Sequence, residues 1–463
     1  MRFNKKVKIT PDIPRDGSVN CALEVLNWML SPISAEQFFK THWEKQALLV
    51  SRQNSEYFKK FVSLSAIDEV LRSNSVLFTE NIDITSYIDG ERKTLNGTGR
   101  ANATNVWESY NEGCSVRFLN PHIFFQEIQR LMATLQEYFE CMVGSNMYLT
   151  PPNSQGFAPH YDDIEAFILQ IEGKKRWRLY KPRNSNEYLP RVSSKNFTQE
   201  DVGEPFLDVI LEPGDLLYFP RGTIHQAHTV SSHHSLHLTI STYQKYSWAD
   251  FLERVIPAAL ANAIDSDPEF RRGLPLGAAS YVGVSHSERR CLNRENFIQK
   301  SRDFFMKLFE YAPIDDALDQ LQKQFQHDAQ PPILTDDEKL RTVALCKNSF
   351  RKDGSLKARD TSFNVNTRFR LLRKNIFRIV MEENSIRLYY HVNNSKEYHA
   401  YESVYLEIDT ELAPIAEKLI HCYPEYLSAA ETEVSGISKK ESLNMLTSLW
   451  ENELLMTEEV VNK

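Results

Sequence analysis

Three side chains suited to a redox metal lie in two stretches of the chain. GSNMYLTPPNSQGFAPHYDDIEAFILQIEGKKRWRLY, from Gly144 to Tyr180, holds His160 and Asp162 with one residue between them. EPGDLLYFPRGTIHQA holds His225. In a strand, residues i and i+2 leave the same side, so an imidazole and a carboxylate leave one face together. An HxD pair alone is a weak signal, because any His and Asp flanking a turn produce it. His225 alone is equally weak. The combination is stronger, since both stretches have strand character and the strands between them can return the chain to one place. Two His and one carboxylate form the facial triad that holds non-haem Fe(II). Such a triad leaves room for a bidentate 2-oxo acid and O2, which a closed site of four thiolates does not.

An anionic cosubstrate needs a cation at its far end. If EGKKRWRLY alternates as a strand, Lys174, Arg176 and Arg178 share the solvent face. Lys175 then shares the other face with Trp177 and Leu179. A lysine on an apolar face is costly unless paired. It either snorkels out at the strand start or binds the distal carboxylate of 2-oxoglutarate. Asn146 and Tyr148 form another i, i+2 pair, and His237, Thr239 and Ser241 form a third such set. Their opposite faces are aliphatic: Met147 and Leu149, and Leu238 and Ile240. Such strands suggest a barrel lined by hydrogen-bonding groups, although Thr239 reads better as a satisfied core hydroxyl. His228, His233 and His234 fall in an irregular Ser/His loop and read as solvated.

The elements that must position these groups follow from periodicity. Residues 1–20 read as a polar arm, and Cys21 to Leu71 as mainly helical, with Ser34 and Gln37 spaced as a capping box. Residues 76–118 read as β segments with loops, turning at Asp89-Gly90. Residues 121–142 return to helix. From Asn146 to Tyr243 short strands follow one another without helices, which suggests a sandwich or jelly roll. A polar insertion at 184–206 reads as a surface loop or helix. Apolar residues from Trp248 to about Gln330 exceed what a helical hairpin needs to cover itself, so this module reads as a dimer interface. Asp328 to Pro332 reads as a linker. The remainder mixes helix and strand, as a small winged-helix-like α+β domain ending in an amphipathic helix.

Composition excludes several classes. A chain of 463 residues exceeds one ordinary core. With 41% hydrophobic residues it is that of a packed protein. A net charge of −8 argues against a general nucleic-acid binder, and the Glu-rich C-terminal part against direct DNA contact. Six scattered cysteines without a CxxC pair give neither a zinc finger nor a disulfide framework, which fits a reducing compartment. No apolar run spans a bilayer, and MRFNKKVKIT lacks a signal-peptide core. No P-loop, GxGxxG or GxSxG motif is present.

The runs SNMYLTPPNSQGFAPHYDDIEAFILQIEGKKRWRLY, LEPGDLLYFPRGTIHQA and HSLHLTISTYQ closely resemble the JmjC-type ribosomal oxygenases. The resemblance extends through FLERVIPAAL, FRRGLP and PPILTDDEK and covers most of residues 20–460. It points to the nucleolar branch, described as bifunctional histone lysine demethylases and ribosomal histidyl hydroxylases. It implies an α+β chain. The parts are an arm at 1–20, a double-stranded β-helix (JmjC) domain with N-terminal helices at 21–245, dimerisation helices at 246–330 and a winged-helix-like domain at 331–463. His160, Asp162 and His225 would bind Fe(II). Lys175, with Asn146, His237 and Ser241, would contact 2-oxoglutarate, and Arg117 would lie on the substrate side. With O2 the reaction would hydroxylate the β-carbon of a histidine in a large-subunit ribosomal protein. The alternative is demethylation of methyl-lysine on histone H3 tails; a non-enzyme alternative is a cupin-type interaction scaffold. The resemblance further implies a homodimer or higher homo-oligomer and a place in the nucleus, in nucleolus and nucleoplasm. Nucleolar targeting rests on kinship, because the similarity starts almost at Met1, where larger animal members carry a long basic extension.

Overall fold

The computed structural model describes residues 17–345, 350–355, 363–398 and 400–461. The first sixteen residues of the expected arm lie outside the described residues. Helix α1 (Gly17–Leu30) starts earlier than the apolar period suggested and buries Val25, Leu26, Met29 and Leu30. In α2 (Ala35–Thr41) the Ser34 hydroxyl accepts the Gln37 N–H, as its spacing implies. Strand β1 (Leu48–Val50) and helix α3 (Leu64–Ser73) follow. Strands β2 (Ile82–Ile88) and β3 (Glu91–Thr94) form a hairpin through Asp89 and Gly90, both at positive φ. A two-residue type I′ turn requires that geometry.

The expectation of strands and loops through 76–118 needs one correction. Ala103–Asn111 is a helix, α4, capped by the Asn102 side chain. It buries only Ala103 and Val106, so its apolar period was too thin to read. Strand β4 (Ser115–Phe118) and helix α5 (Gln126–Phe139) complete this half.

The centre is built from β5 (Val143–Thr150), β6 (Glu165–Gly173), β7 (Lys175–Tyr180), the short α6 (Gln199–Val202), β8 (Leu207–Leu211), β9 (Leu216–Phe219), β10 (Ile224–Thr229) and β11 (Ser235–Thr242). An eight-stranded antiparallel sheet runs β1-β9-β6-β11-β5-β4-β2-β3, and a smaller sheet runs β10-β7-β8. The chain therefore passes from the large sheet to the small one and back: β6 to β7, β8 to β9, β9 to β10, β10 to β11. This is the expected double-stranded β-helix. Gly173 makes the first crossing at φ +64; a Cβ there would lie 1.8 Å from the His234 carbonyl oxygen.

Strand alternation sorts the side chains. Met147, Leu149, Leu238 and Ile240 join the main core with α1 and α5. Asn146, Tyr148, His237, Thr239 and Ser241 line a cavity between the sheets. The 184–206 insertion is not a free surface loop: its Ser193, Ser194 and Asn196 form part of that cavity wall.

Helices α7 (Trp248–Ser266), α8 (Leu292–Leu308) and α9 (Ile314–Asp328) follow. The expected linker after α9 is pinned. Gln330 exchanges hydrogen bonds of 2.8 and 2.9 Å with the Gln136 side chain. The last part has its own apolar core. Its elements are α10 (Asp336–Arg341), β12 (Arg368–Leu371), β13 (Phe377–Met381), β14 (Ile386–Tyr390), β15 (Tyr405–Ile408), α11 (Ala413–Cys422), β16 (Leu427–Ser428), α12 (Lys439–Glu451) and β17 (Leu455–Thr457). The end of the stretch expected as an amphipathic helix departs from helix after α12: Leu455 and Met456 lie in strand β17, paired with β12.

Gly222, at φ +84, donates its N–H to the Asp162 carbonyl oxygen at 3.0 Å. A Cβ there would meet the Glu187 carbonyl oxygen at 2.3 Å. Gly222→Ala is expected to destabilise the fold by on the order of 1–3 kcal/mol. Urea denaturation reads this as a lower midpoint; an unchanged midpoint would show that the turn relaxes freely.

Candidate metal centre and cosubstrate cavity

The backbones of His160 and His225 form an isolated antiparallel bridge. His160 donates to the His225 carbonyl at 3.2 Å, and His225 donates to the His160 carbonyl at 2.8 Å. The two imidazoles consequently stand side by side, with ring centroids 4.5 Å apart. Asp162 leaves the same face two residues on. Its two carboxylate oxygens lie 3.8 Å from His160 Nε2 and 3.7 Å from His225 Nε2. Ligand atoms of all three residues fall within 4.8 Å of one another. Among the described residues this is the only such group; His228, His233 and His234 belong to none.

The ring orientations suit metal binding. His160 Nδ1 bonds the Ala158 carbonyl at 2.8 Å, and His225 Nδ1 bonds the Thr223 carbonyl at 3.0 Å. A carbonyl can only accept, so each Nδ1 carries the proton and each Nε2 keeps its lone pair. Burial, aided by the adjacent His160, pushes the His225 imidazole down to about 4. It is therefore neutral at physiological pH, as a ligand must be.

A cavity of about 390 Å³ opens from this centre. Lys175, Asn146, His237, Ser241 and Arg117, each singled out from sequence, all line it. The face assignment of β7 holds: Lys174 pairs with Glu212, and Arg176 and Arg178 pair with Asp208 on the outside. Lys175 does not snorkel. It is 5% exposed, and its ammonium donates to Thr150 Oγ1 at 3.1 Å. Among the described residues no carboxylate pairs with it, and burial alone pushes it down to about 7. His237 is 2% exposed, stacks on Tyr148 at 4.8 Å, and its buried Nδ1 has no hydrogen-bond partner. An uncompensated buried cation beside an unsatisfied ring nitrogen is expensive unless an anionic ligand completes the site. The donor set therefore fits a divalent metal with a dicarboxylate.

Sequence reasoning missed part of the wall. Arg92 on β3 and Phe157 in the loop before His160 also line the cavity. Neither carries a local signal, because the topology alone folds the β2–β3 hairpin over the β5–β6 loop. Tyr148 was placed on the right face but given no role. The structure sets it between His237 and the Arg117 guanidinium; burial raises the hydroxyl's proton affinity, and Arg117 offsets part of that rise.

Residues 117–250 match the family model of the JmjC domain. Residues 330–461 match the C-terminal winged helix domain of ribosomal oxygenase 1. The chain is 48% identical over 440 residues to the bifunctional lysine-specific demethylase and histidyl-hydroxylase NO66 of Culex quinquefasciatus, covering 95% of this chain and 67% of that one. It is 45% identical over 436 residues to ribosomal oxygenase 1 of Gallus gallus, covering 94% and 72%. The chain belongs to the JmjC ribosomal oxygenase family. Among solved structures, Escherichia coli ycfD overlays with a TM-score of 0.47 at 15% identity, covering 92% of this chain and 98% of that one. Family membership makes the chain an oxygenase with a JmjC double-stranded β-helix and a C-terminal winged helix.

The state of Lys175 gives a sign-specific prediction. Before a ligand binds, its ammonium is fully charged well below pH 7 and largely neutral above pH 8. A bound dicarboxylate favours the charged form. Binding of 2-oxoglutarate to Mn(II)-loaded protein should therefore take up a proton at pH 8 and little at pH 6. Calorimetry in buffers of different ionisation enthalpy measures this, and equal uptake at both pH values would contradict it.

Proposed function

We propose that this chain is an Fe(II)- and 2-oxoglutarate-dependent protein oxygenase that hydroxylates a histidine of a large-subunit ribosomal protein. The observation that carries the reading is one cavity with a His-Asp-His face at one point and an unpaired buried lysine at another. A cupin-type scaffold would need neither.

His160, Asp162 and His225 would hold the iron through Nε2 and carboxylate oxygens. Lys175, steadied by Thr150, would take the distal carboxylate of 2-oxoglutarate, with Asn146, His237 and Ser241 as polar wall. When bound, iron and 2-oxoglutarate together supply an oxidation with O2 that releases succinate and CO2 and places one oxygen on a substrate C–H. The protein's own contribution is placement: the substrate C–H must be held at the metal face while bulk water is kept out.

Demethylation of methyl-lysine on histone H3 tails is the second reading, since NO66 relatives are named for both activities. The cavity's charges favour the histidine. Arg92, Arg117 and Lys175 line it against Asp162 and Asp163. With Lys175 taken by the cosubstrate and Arg117 by Asp83, a methylammonium would still have to pass Arg92, which has no ion pair among the described residues. The aromatic faces that could cage it are in use: Tyr148 stacks on His237, and Phe157 carries Arg92 at 4.4 Å. A neutral imidazole meets no such penalty and finds hydrogen-bonding groups in Tyr148, Thr239 and Gln226. Overlapping peptides spanning the histidines of large-subunit ribosomal proteins, and methylated H3 peptides, decide the matter by mass spectrometry. A gain of about 16 Da on a ribosomal peptide is expected; a loss of about 14 Da on H3 peptides alone would reverse the assignment.

We place the protein in the nucleus, in nucleolus and nucleoplasm. The chain's kinship with NO66 and ribosomal oxygenase 1 supports this. No helix among the described residues is long and apolar enough to cross a membrane. The 246–330 helices we read as the surface of a homodimer or higher homo-oligomer. Leu252, Ile256, Leu260 and Ile264 recur every fourth residue on α7 and are 40–45% exposed, beside Trp248 at 79%. Such a stripe is unusual on a lone soluble helix. Ile256→Glu with Leu260→Glu is expected to halve the mass seen by light scattering; an unchanged mass would place the contact elsewhere. The C-terminal domain at 331–463 we read as a protein-facing or structural module without direct DNA binding.

A further inference from the structure

The cavity mouth carries a cation that the reaction above does not use. Arg92, on β3, lays its guanidinium on the Phe157 ring, 4.4 Å from the centroid. Arg117, on β4, covers the same ring at 5.3 Å. Arg117 is neutralised by Asp83 at 2.5 Å. Arg92 has no ion pair among the described residues. The Nε of each arginine is buried without a hydrogen-bond partner. Burial and the neighbouring Arg117 charge pull Arg92 below its ordinary proton affinity. Two guanidinium groups thus share one ring, only Arg117 has a carboxylate partner among the described residues, and Arg92 lacks an acceptor.

The location says what that acceptor belongs to. Lys175 is buried in the cavity, whereas Arg92 is half-buried and sits on a hairpin that exposes Ile88 and Leu95 to solvent. The Phe157 ring lies 6.2 Å from the His160 ring. A group held by Arg92 would therefore lie beside the reacting residue rather than on it. The aromatic platform fixes the fork of donors before a ligand arrives, which a lysine cannot reproduce.

We propose that Arg92 is a specificity-determining residue, binding an oxygen acceptor of the substrate polypeptide in the residues flanking the oxidised one. The acceptor is a backbone carbonyl or a carboxylate. A flanking lysine or arginine directed at this point is repelled. The proposal rests on the protein-oxygenase reading and names a subsite of that same cavity.

Steady-state kinetics on the ribosomal peptide oxidised in the panel test it. Arg92→Ala is expected to raise the peptide KM about 10- to 100-fold, as loss of a charged hydrogen bond does, with kcat within about threefold. Arg92→Lys should restore part of the loss, and Phe157→Leu should raise KM more modestly. Replacing flanking Asp or Glu of the peptide by Asn or Gln separates the two acceptors. Weaker use by the wild type but not by Arg92→Ala identifies a carboxylate; indifference of the wild type identifies a carbonyl. A peptide KM unchanged in Arg92→Ala overturns the proposal, as does a fall in kcat alone. Thermal melting confirms that each variant folds. Fluorescence polarisation with the same peptides and Mn(II)-loaded protein keeps the two readings apart. Peptide binding that is lost in Arg92→Ala, without any oxidation by the wild type, sinks the reaction and keeps the subsite. Wild-type protein that binds no peptide sinks the subsite.

Discussion

Two backbone hydrogen bonds between His160 and His225 hold the whole centre together. One residue enters from the loop after β5, the other from β10 of the small sheet. Everything at the centre depends on their meeting. The bridge sets the imidazoles side by side, and the carbonyls of Ala158 and Thr223 turn each ring so that Nε2 faces inward. The Gly222 contact then ties the Asp162 backbone to the turn that leads into β10. The candidate ligand set is thus positioned by main-chain geometry, the kind of support a preorganised site requires.

A second constraint is electrostatic. The large sheet presents aliphatic side chains to α1 and α5 and polar ones to the cavity, and the small sheet adds Lys175 opposite. Desolvation disfavours the ammonium, and among the described residues its hydrogen-bond partner is Thr150. The fold tolerates this because the surrounding core supplies the stability that the site gives up. At the cavity mouth Arg117 is neutralised by Asp83, and Arg92 is left without an ion pair among the described residues.

The helical and C-terminal parts are fixed to this centre rather than tethered. Beyond the Gln136–Gln330 clasp, Ser18 on α1 donates to the buried Glu137 on α5 at 2.7 Å and bonds Tyr423 beyond α11 at 3.1 Å. The Asn375 side chain donates to the Glu137 carbonyl at 3.1 Å. Buried polar contacts of this kind specify one arrangement, because any displacement strands a desolvated group. The docking of the winged-helix-like domain is therefore part of the fold.

By itself the sequence determined the strand periodicity of 146–243, the faces of β5, β7 and β11, and the triad as a candidate. Period-2 alternation is local, and a lysine two residues before a tryptophan and four before a leucine can be placed on their face without coordinates. The same locality explains what it missed. Helix α4 buries too few residues to show a period, and the end of the chain reads as helix until β12 pairs with β17. Arg92 and Phe157 lie sixty-five positions apart, in segments with no chemical mark of their own. Only the order of strands in the large sheet, with β4 between β5 and the β2–β3 hairpin, brings them to the cavity mouth. Local pattern records which way a side chain points; what it points at is decided by which distant strand the backbone hydrogen bonds choose as neighbour.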